Sequence, residues 1–221
     1  MRALLVRSLI VGCLAAGCGR VGAAPPASAE GPPPVPLLQP GPPGQTSRPI
    51  SGAEATDLSK VQFKSADARF MSGMIGHHAQ AVEMVALLET RTASDTMRML
   101  GKRIEVSQID EMQMMREWLG TRGLPAPDPH AHHMDGASLM PGMLTQEEMA
   151  RLAAAQGRTF DQLFLEAMIK HHRGALTMVE ELFASPGAAQ DSEIYSFASD
   201  VDADQRMEID RMGAMLQEMS K

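Results

Sequence analysis

The chain reads as an all-α protein: a four-helix bundle made of two αα-hairpin repeats, with a long Met/His-rich central loop. Three observations predict this. The stretch Met74-Ile75-Gly76-His77-His78-Ala79-Gln80-Ala81-Val82-Glu83-Met84 recurs as Met168-Ile169-Lys170-His171-His172-Arg173-Gly174-Ala175-Leu176-Thr177-Met178, so both copies read M-I-x-H-H-x-x-A-x-x-M. The composition favours helix: 19 methionines stand among Leu, Ala, Glu, Gln and Arg, aromatics are only 4%, and strand-like alternation is missing. Apolar residues return every three or four positions, which lines one face of a helix.

Residues 1–18 read as a signal peptide. Arg2 and Arg7 flank its start, and the apolar run from Ser8 to Ala16 is too short to span a membrane as a mature helix. Leu14-Ala15-Ala16-Gly17-Cys18 has the look of a lipobox with Cys18 as the acylated residue, although Ala15 stands where Leu is usual. Cleavage near Ala23-Ala24, without a lipid, is the rival reading. Residues 19–56 form a Pro/Gly-rich stretch; ten of the fifteen prolines fall between Gly19 and Ile50. Such a segment cannot build a core and is expected to be a disordered tether. Residues 57–221 are expected to be the bundle.

The first long helix is predicted over residues 66–88, with Asp67 at its start and Phe70, Met74, His77, Ala81, Met84 and Leu88 as its seam. The second is predicted over 94–119, with Met97, Leu100, Ile104, Ile109, Met112, Met115 and Leu119 buried, and Gly120-Thr121-Arg122-Gly123 ending it. Residues 124–144 read as a loop. Thr145-Gln146-Glu147-Glu148 is a capping-box pattern that opens a short helix to about Ala155, which Gly157 breaks. The third long helix is predicted over 159–183, with Phe164, Met168, His171, Ala175, Met178 and Leu182 repeating the first seam. Ser185-Pro186-Gly187 stops it. The fourth is predicted over 191–219, with Ile194, Phe197, Val201, Met212, Met215 and Leu216 buried. The repeat extends beyond the motif: Asp67-x-x-Phe70 matches Asp161-x-x-Phe164, and Gln108-x-x-Glu111 matches Gln205-x-x-Glu208.

Charge and cysteine usage narrow the chemistry. The formal charge is -7, and loss of Arg2 and Arg7 with the leader takes it to -9. Nucleic acid as a partner is thereby disfavoured, since it needs clustered Lys and Arg. The two cysteines are Cys13 and Cys18, so the folded part has no disulfide, thiolate zinc site or Cys nucleophile. A soft-metal site there must use Met sulfur and His nitrogen, donors that survive in an oxidising compartment.

The motif has the spacing for that. Met74 is three residues before His77 and four before His78, so a Met and a His on one helix can reach one ion. Met168 stands likewise to His171 and His172. Met84 lies about 10 Å beyond His77 along the helix and needs another element for company. His77 and His78 point about 100° apart, so the two cannot face the same way. The central loop adds His130, His132, His133, Met134, Met140 and Met143, soft to borderline donors that suit Cu(I), Ag(I) or Cu(II). Glu111, Glu208, Gln108 and Gln205 either orient the imidazoles from the partner helices or are solvated. The other methionines, Met97, Met99, Met207 and Met215 among them, read as core filler. The Glu-x-x-His pattern of di-iron bundles, the P-loop and the zincin motif are all missing.

The doubled H-H-x-x-A-x-x-M, each copy preceded by D-x-x-F-x-x-x-M-I, resembles the bacterial domain-of-unknown-function family 305. The likeness covers residues 64–219. It implies a ferritin-like bundle. Because the family includes exported copper-resistance proteins of the CopM type, it also implies copper or silver binding through Met and His. By that similarity the ligands to carry over are Met74, His77, His78, Met84, Met168, His171, His172 and Met178. His132, His133, Met134, Met140 and Met143 follow as loop ligands. The reading is therefore an exported, lipid-anchored, non-enzymatic metal-binding protein of the periplasm or cell envelope, for sequestration, tolerance or transfer. Its partners are metal ions, the membrane through Cys18, and a second copy of the chain or a recipient of the ion. Two alternatives stay open: a ferritin-like metalloenzyme of redox or hydrolytic type, and a structural or self-association module in which the histidines sense pH.

Overall fold

The computed structural model describes residues 37–39, 46–56, 63–131 and 139–221. The leader over residues 1–18, much of the tether, and His132, His133 and Met134 of the loop lie outside the described residues. Local order appears within the stretch expected to be a tether. Leu37–Gln39 (β1) and Arg48–Ile50 (β2) pair antiparallel with Leu37 opposite Ile50, and Gly52–Thr56 forms the short helix α1. A small capping box opens α1: the Ser51 hydroxyl accepts from Glu54 N at 3.1 Å, and the Glu54 carboxylate accepts from Ser51 N at 2.9 Å.

The long helices follow the predicted order. They are α2 (Ser65–Ala86), α4 (Asp95–Thr121), α6 (Gly157–Ala184) and α7 (Ser192–Met219), with the short α3 (Leu88–Arg91) and α5 (Gln146–Ala154) between them. The starts of α2, α4, α5 and α7 are each tied down by a side chain where backbone N–H groups lack a helical partner, whereas Gln156, before α6, makes no such bond. Asp67 does this from inside the first turn of α2, accepting from Lys64 N at 2.6 Å, rather than from the position just before the helix. Ser94 accepts from Met97 N at 3.3 Å to open α4, and Asp191 accepts from Glu193 N at 2.8 Å to open α7. The Thr145–Glu148 box opens α5 as expected, with bonds of 3.1 and 2.9 Å.

α2 packs on α4, α6 on α7, and α2 on α6. The core residues give the directions. One cluster joins Phe70 and Met74 of α2, Met115 and Leu119 of α4, Met178 and Leu182 of α6, and Ile194 and Phe197 of α7. The other joins Met84 of α2, Leu88 of α3, Leu100 and Ile104 of α4, Phe160 and Met168 of α6, and Met212 of α7. The start of α2 thus lies beside the ends of α4 and α6 and the start of α7. Within each hairpin the helices are antiparallel, and α4 and α6 run the same way, so the chain from Thr121 to Gly157 must return along the whole bundle. Between the two apolar clusters lies a layer of buried polar side chains: His77, His78, Gln108, Glu111, His171, His172 and Gln205.

The two seams are buried at every predicted position. The partner helices differ in part. Ile109 is 44% exposed, and Met99 and Met207, read as core filler, are 62% and 61% exposed. For Met99 and Met207 the cause is that α4 and α7 do not close on each other. They leave a groove of about 710 Å³ lined by Met99, Val106, Ser107, Asp204, Met207 and Glu208, among others. Among the described residues, no helix is long and apolar enough to cross a membrane.

Candidate metal centre

The polar layer is built from the repeated motif. On α2 and α6 the first histidine of each pair faces the centre, and the His77 and His171 rings lie 3.8 Å apart between centroids, tilted by 38°. The second histidine turns to its own hairpin partner. His78 Nε2 meets Glu111 Oε2 of α4 at 2.5 Å, and His172 Nε2 meets Glu208 Oε2 of α7 at 2.6 Å. Within each pair the rings are 6.3 Å apart at 57°, the same in both copies. All four histidines are buried, so the one that faces outward from the seam reaches a partner helix and not an opening. Glu111 and Glu208 both meet imidazoles; Glu111, Gln108 and Gln205 are buried, while Glu208 is half-buried at the wall of the α4–α7 groove.

The carboxylates determine which nitrogen remains. An ionised Glu111 accepts a hydrogen bond from the Nε2–H of His78, which leaves Nδ1 as the other ring nitrogen. That atom is buried and has no hydrogen-bond partner. His172 Nδ1 is in the same state on the other half, and so is His171 Nε2. Each orphaned buried polar atom costs about 1–3 kcal/mol, so a fold that keeps several in one layer has a use for them. Trp118 Nε1 and Arg91 Nε are also without partners, but each stands apart from this layer. A carboxylate on one imidazole nitrogen and nothing on the other is the arrangement by which proteins orient a histidine toward a metal ion.

Electrostatics differ between the halves. Burial pushes Glu111 up, but the bonded His78 imidazole and its charge, with the Ser107 hydroxyl at 3.0 Å, outweigh it and hold the carboxyl below its ordinary range. Position 204 on α7 corresponds to position 107 on α4, and there an Asp replaces the Ser. Burial first, then Glu111 and Glu208, push Asp204 up. Burial above all, and then the neighbouring imidazoles of His77, His172 and His78, holds His171 well below the usual imidazole range, so it is neutral at neutral pH.

The methionines flank the layer in crossed pairs. Met74 shares its apolar cluster with Met178 of the other motif, and Met84 shares the second cluster with Met168. The antiparallel run of α2 and α6 therefore supplies the company that Met84 lacks on its own helix. The loop contributes differently from the expected surface ligand set. Met143 is buried, and Met140 packs over α2, where a Cβ added to Gly73 would stand 3.1 Å from Met140 Sδ and 3.4 Å from Met178 Cε. His130 stays at the surface, its Nδ1 2.7 Å from Glu83 Oε1. Among the described residues there is no group of three or more His, Cys, Asp and Glu that could hold one ion, so thioethers are needed to complete a set.

Residues 139–144 form a strap across this layer on its way along the bundle. His77 Nε2 donates to the Pro141 carbonyl at 3.0 Å. Gln80 clasps Leu144 with both ends of its amide: Nε2 donates to Leu144 O at 2.9 Å, and Leu144 N donates to Oε1 at 2.7 Å. On α6, Gly174 has no side chain because the Pro141 carbonyl and Gly142 Cα occupy that space. Gly142 itself has φ 76°. Sequence reasoning missed Gln80, Gly174, Ser107 and Asp204. A buried amide on an apolar face, and a glycine at the equivalent place in the second copy, were the available signals.

Comparison with known proteins agrees with this architecture. The family model described as "Domain of unknown function (DUF305)" matches residues 67–216. Among solved structures, a candidate secreted DUF305 protein from Streptomyces coelicolor is 31% identical, with TM-score 0.62, over 71% of this chain and 94% of that one. A DUF305 fragment from Deinococcus radiodurans is 29% identical, with TM-score 0.62, over 71% and 98%. CopM in its Cu(II)-bound form is 25% identical, with TM-score 0.58, over 69% and 96%. No curated protein matches.

Proposed function

The chain belongs to the DUF305 family, and from that premise we propose that it is an exported, non-enzymatic protein that binds copper or silver ions for sequestration, tolerance or transfer. The observation that carries this is the pair of Glu–His contacts whose outer nitrogens are spoken for and whose inner nitrogens, His78 Nδ1 and His172 Nδ1, are buried without partners. Met74 and Met168 stand four residues before these histidines, one helical turn away. Met178 and Met84 approach from the opposite copies. Imidazole and thioether donors without thiolate suit Cu(I) and Ag(I), and Glu111 and Glu208 add a preference compatible with Cu(II). CopM, which shares the fold, has been solved with Cu(II) and with Cu(I). Export and a lipid on Cys18 complete the reading, in keeping with a family neighbour described as a candidate secreted protein.

Anaerobic titration of the purified chain with Cu(I) and Ag(I) tests it. Binding is expected, and it is expected to be lost when His77, His78, His171 and His172 are all replaced by Ala. Equal binding by wild type and a folded quadruple variant sinks the proposal.

A second reading, a ferritin-like metalloenzyme, draws support from the convergence of both histidine pairs with Glu111 in one interior layer, which Glu208 joins from the wall of the groove. A protein-held catalytic ion needs three or so strong donors around one point and an open position. The described residues do not place three such His or carboxylate groups together. Turnover of dioxygen or an ester by the copper-loaded chain, abolished by Glu208→Gln, would support this reading over simple binding.

A further inference from the structure

Large apolar side chains are exposed on only two of the four long helices. Met99, Val106, Ile109 and Met114 belong to α4, and Tyr195 and Met207 to α7; among the described residues α2 and α6 expose none. Single apolar residues scattered over a surface are ordinary, but four of these share one seam. Met99, Val106 and Met207 line the groove of about 710 Å³ between α4 and α7. Met114 lies further along the same two helices, on a second hollow of about 300 Å³ whose walls include Trp118 of α4 and Phe197 of α7. The opening between α4 and α7 therefore runs along most of their length. On the opposite side of the bundle α2 and α6 pack on each other, and the strap covers them.

The charges of the larger groove are sorted by wall. The α4 wall carries Lys102 and Arg103 and no carboxylate; the α7 wall carries Asp204 and Glu208, with Arg211 one turn beyond Met207. Lys102 is held by Glu105 of its own helix at 2.7 Å, and Glu208 by His172 at 2.6 Å. Arg103 and Asp204 are the charges left for a partner. We propose that this seam docks a second copy of the chain, about a two-fold axis along the groove that lays the Arg103 wall of one protomer on the Asp204 wall of the other. Three points argue for a second copy. A two-fold contact places the same patch on both subunits, so a surface with one cationic and one anionic wall is complementary to itself. An axis across the groove would instead stack like charge on like charge, which disfavours that pairing. The size also fits: α4 has 27 residues, so two helices about 40 Å long and about 10 Å across present about 800 Å², the area per partner of a standard interface. A ligand sized to one hollow would leave the other bare. The residues at the seam, Met and Arg foremost, are those enriched at interfaces.

Sedimentation velocity of the full chain over a concentration series tests this. A chelator keeps metal out of the result, and a reductant keeps Cys13 and Cys18 from cross-linking copies. A concentration-dependent dimer is expected. Val106→Lys with Met207→Lys puts charge into the apolar seam and is expected to raise the dissociation constant about 10-fold or more. Arg103→Glu alone and Asp204→Lys alone each set like charges against one another at both contacts, and each is expected to weaken the dimer about 10-fold or more. Mixed in equal amounts, these two single variants are expected to pair again, because every contact in the mixed dimer joins opposite charges. A folding defect within one chain would not be cured by mixing. The proposal is overturned if the wild-type chain is monomeric at every concentration, which would leave the groove to some other occupant. It is also overturned if the dimer survives Val106→Lys with Met207→Lys, since association then runs through another surface, or if the mixture of the two charge variants stays monomeric. None of these outcomes depends on whether the central histidines bind metal.

Discussion

Gln80 and Gly174 occupy the same position of the repeated motif and hold the same strap from opposite sides. Gln80 clasps Leu144 through two hydrogen bonds, while Gly174 gives up its side chain so that Pro141 and Gly142 can lie on α6. The bundle's two-fold repeat is broken there. The strap caps His77 through the Pro141 carbonyl. The equivalent nitrogen of His171, Nε2, is left without a partner.

Gly174→Ala is therefore expected to lift the strap, since the new Cβ would overlap the Pro141 carbonyl. Overpacking of this kind costs about 1–3 kcal/mol. Gln80→Ala strands a buried N–H and a buried C=O of Leu144 and is expected to cost about 2 kcal/mol. Urea unfolding measures both. A Gly174→Ala chain as stable as wild type would mean that the strap does not rest on α6.

Replacing Glu111 or Glu208 by Gln keeps shape but removes the charge that orients His78 or His172. Copper affinity, measured by anaerobic competition with a chelator, is expected to fall about 10- to 100-fold in each variant. Because Glu111 also accepts from Ser107, its replacement disturbs one more contact than that of Glu208, whose i-4 neighbour is Asp204. Unchanged affinity in both variants would leave the Glu–His contacts as packing alone.

The metal-free chain should lose stability as the solution is acidified, beginning in the imidazole range. His171 has its folded pKa depressed below the ordinary 6.5. The unfolded chain takes up that proton first, and stability falls as pH drops through 6.5 toward the folded value. Glu111, also depressed, contributes stability above its ordinary 4.5 that is lost as pH falls through its folded value. The two effects have the same sign and act in succession. Urea midpoints at about pH 8 and about pH 5.5 check the first of them, and His171→Gln should flatten it. A midpoint that does not move between those values is incompatible with a buried neutral His171.

Met74→Leu combined with Met168→Leu separates packing from ligation. Both side chains are buried in apolar clusters, and a volume-conserving exchange there costs less than about 1.5 kcal/mol. Silver binding at the histidine layer should nevertheless weaken, because Leu offers no sulfur. If the double variant binds silver as wild type does, the two methionines are core residues and nothing more.

How much of this was legible follows from what each residue answers to. The seams of α2 and α6 could be read because helical periodicity alone dictates which of Phe70, Met74, His77, Ala81 and Met84 share a face. The split orientation of each histidine pair came from the same geometry. Met99 and Met207 were misassigned because Met is equally at home in a core or on a surface. Their exposure depends on α4 and α7 failing to meet, a tertiary fact. Gln80 and Gly174 carried no periodic signal, since their roles exist only once residues 139–144 cross the bundle. Glu111 and Glu208 were visible as a repeat, but only the structure places them against His78 and His172.

An asymmetry between the two ends of the bundle predicts opposite behaviour for two aspartates in the same motif position. Asp67→Ala removes bonds from Lys64 N and Ala189 N and leaves the Ala189 N–H buried without an acceptor. It should cost about 3 kcal/mol. Asp161→Ala removes a buried oxygen that has no hydrogen-bond partner, so the lost side-chain contacts are offset by relief of an unsatisfied acceptor. Without metal, this variant should lie within about 1 kcal/mol of wild type or above it. Equal losses in the two variants, measured by urea unfolding without metal, would show that the two ends of the bundle are satisfied alike.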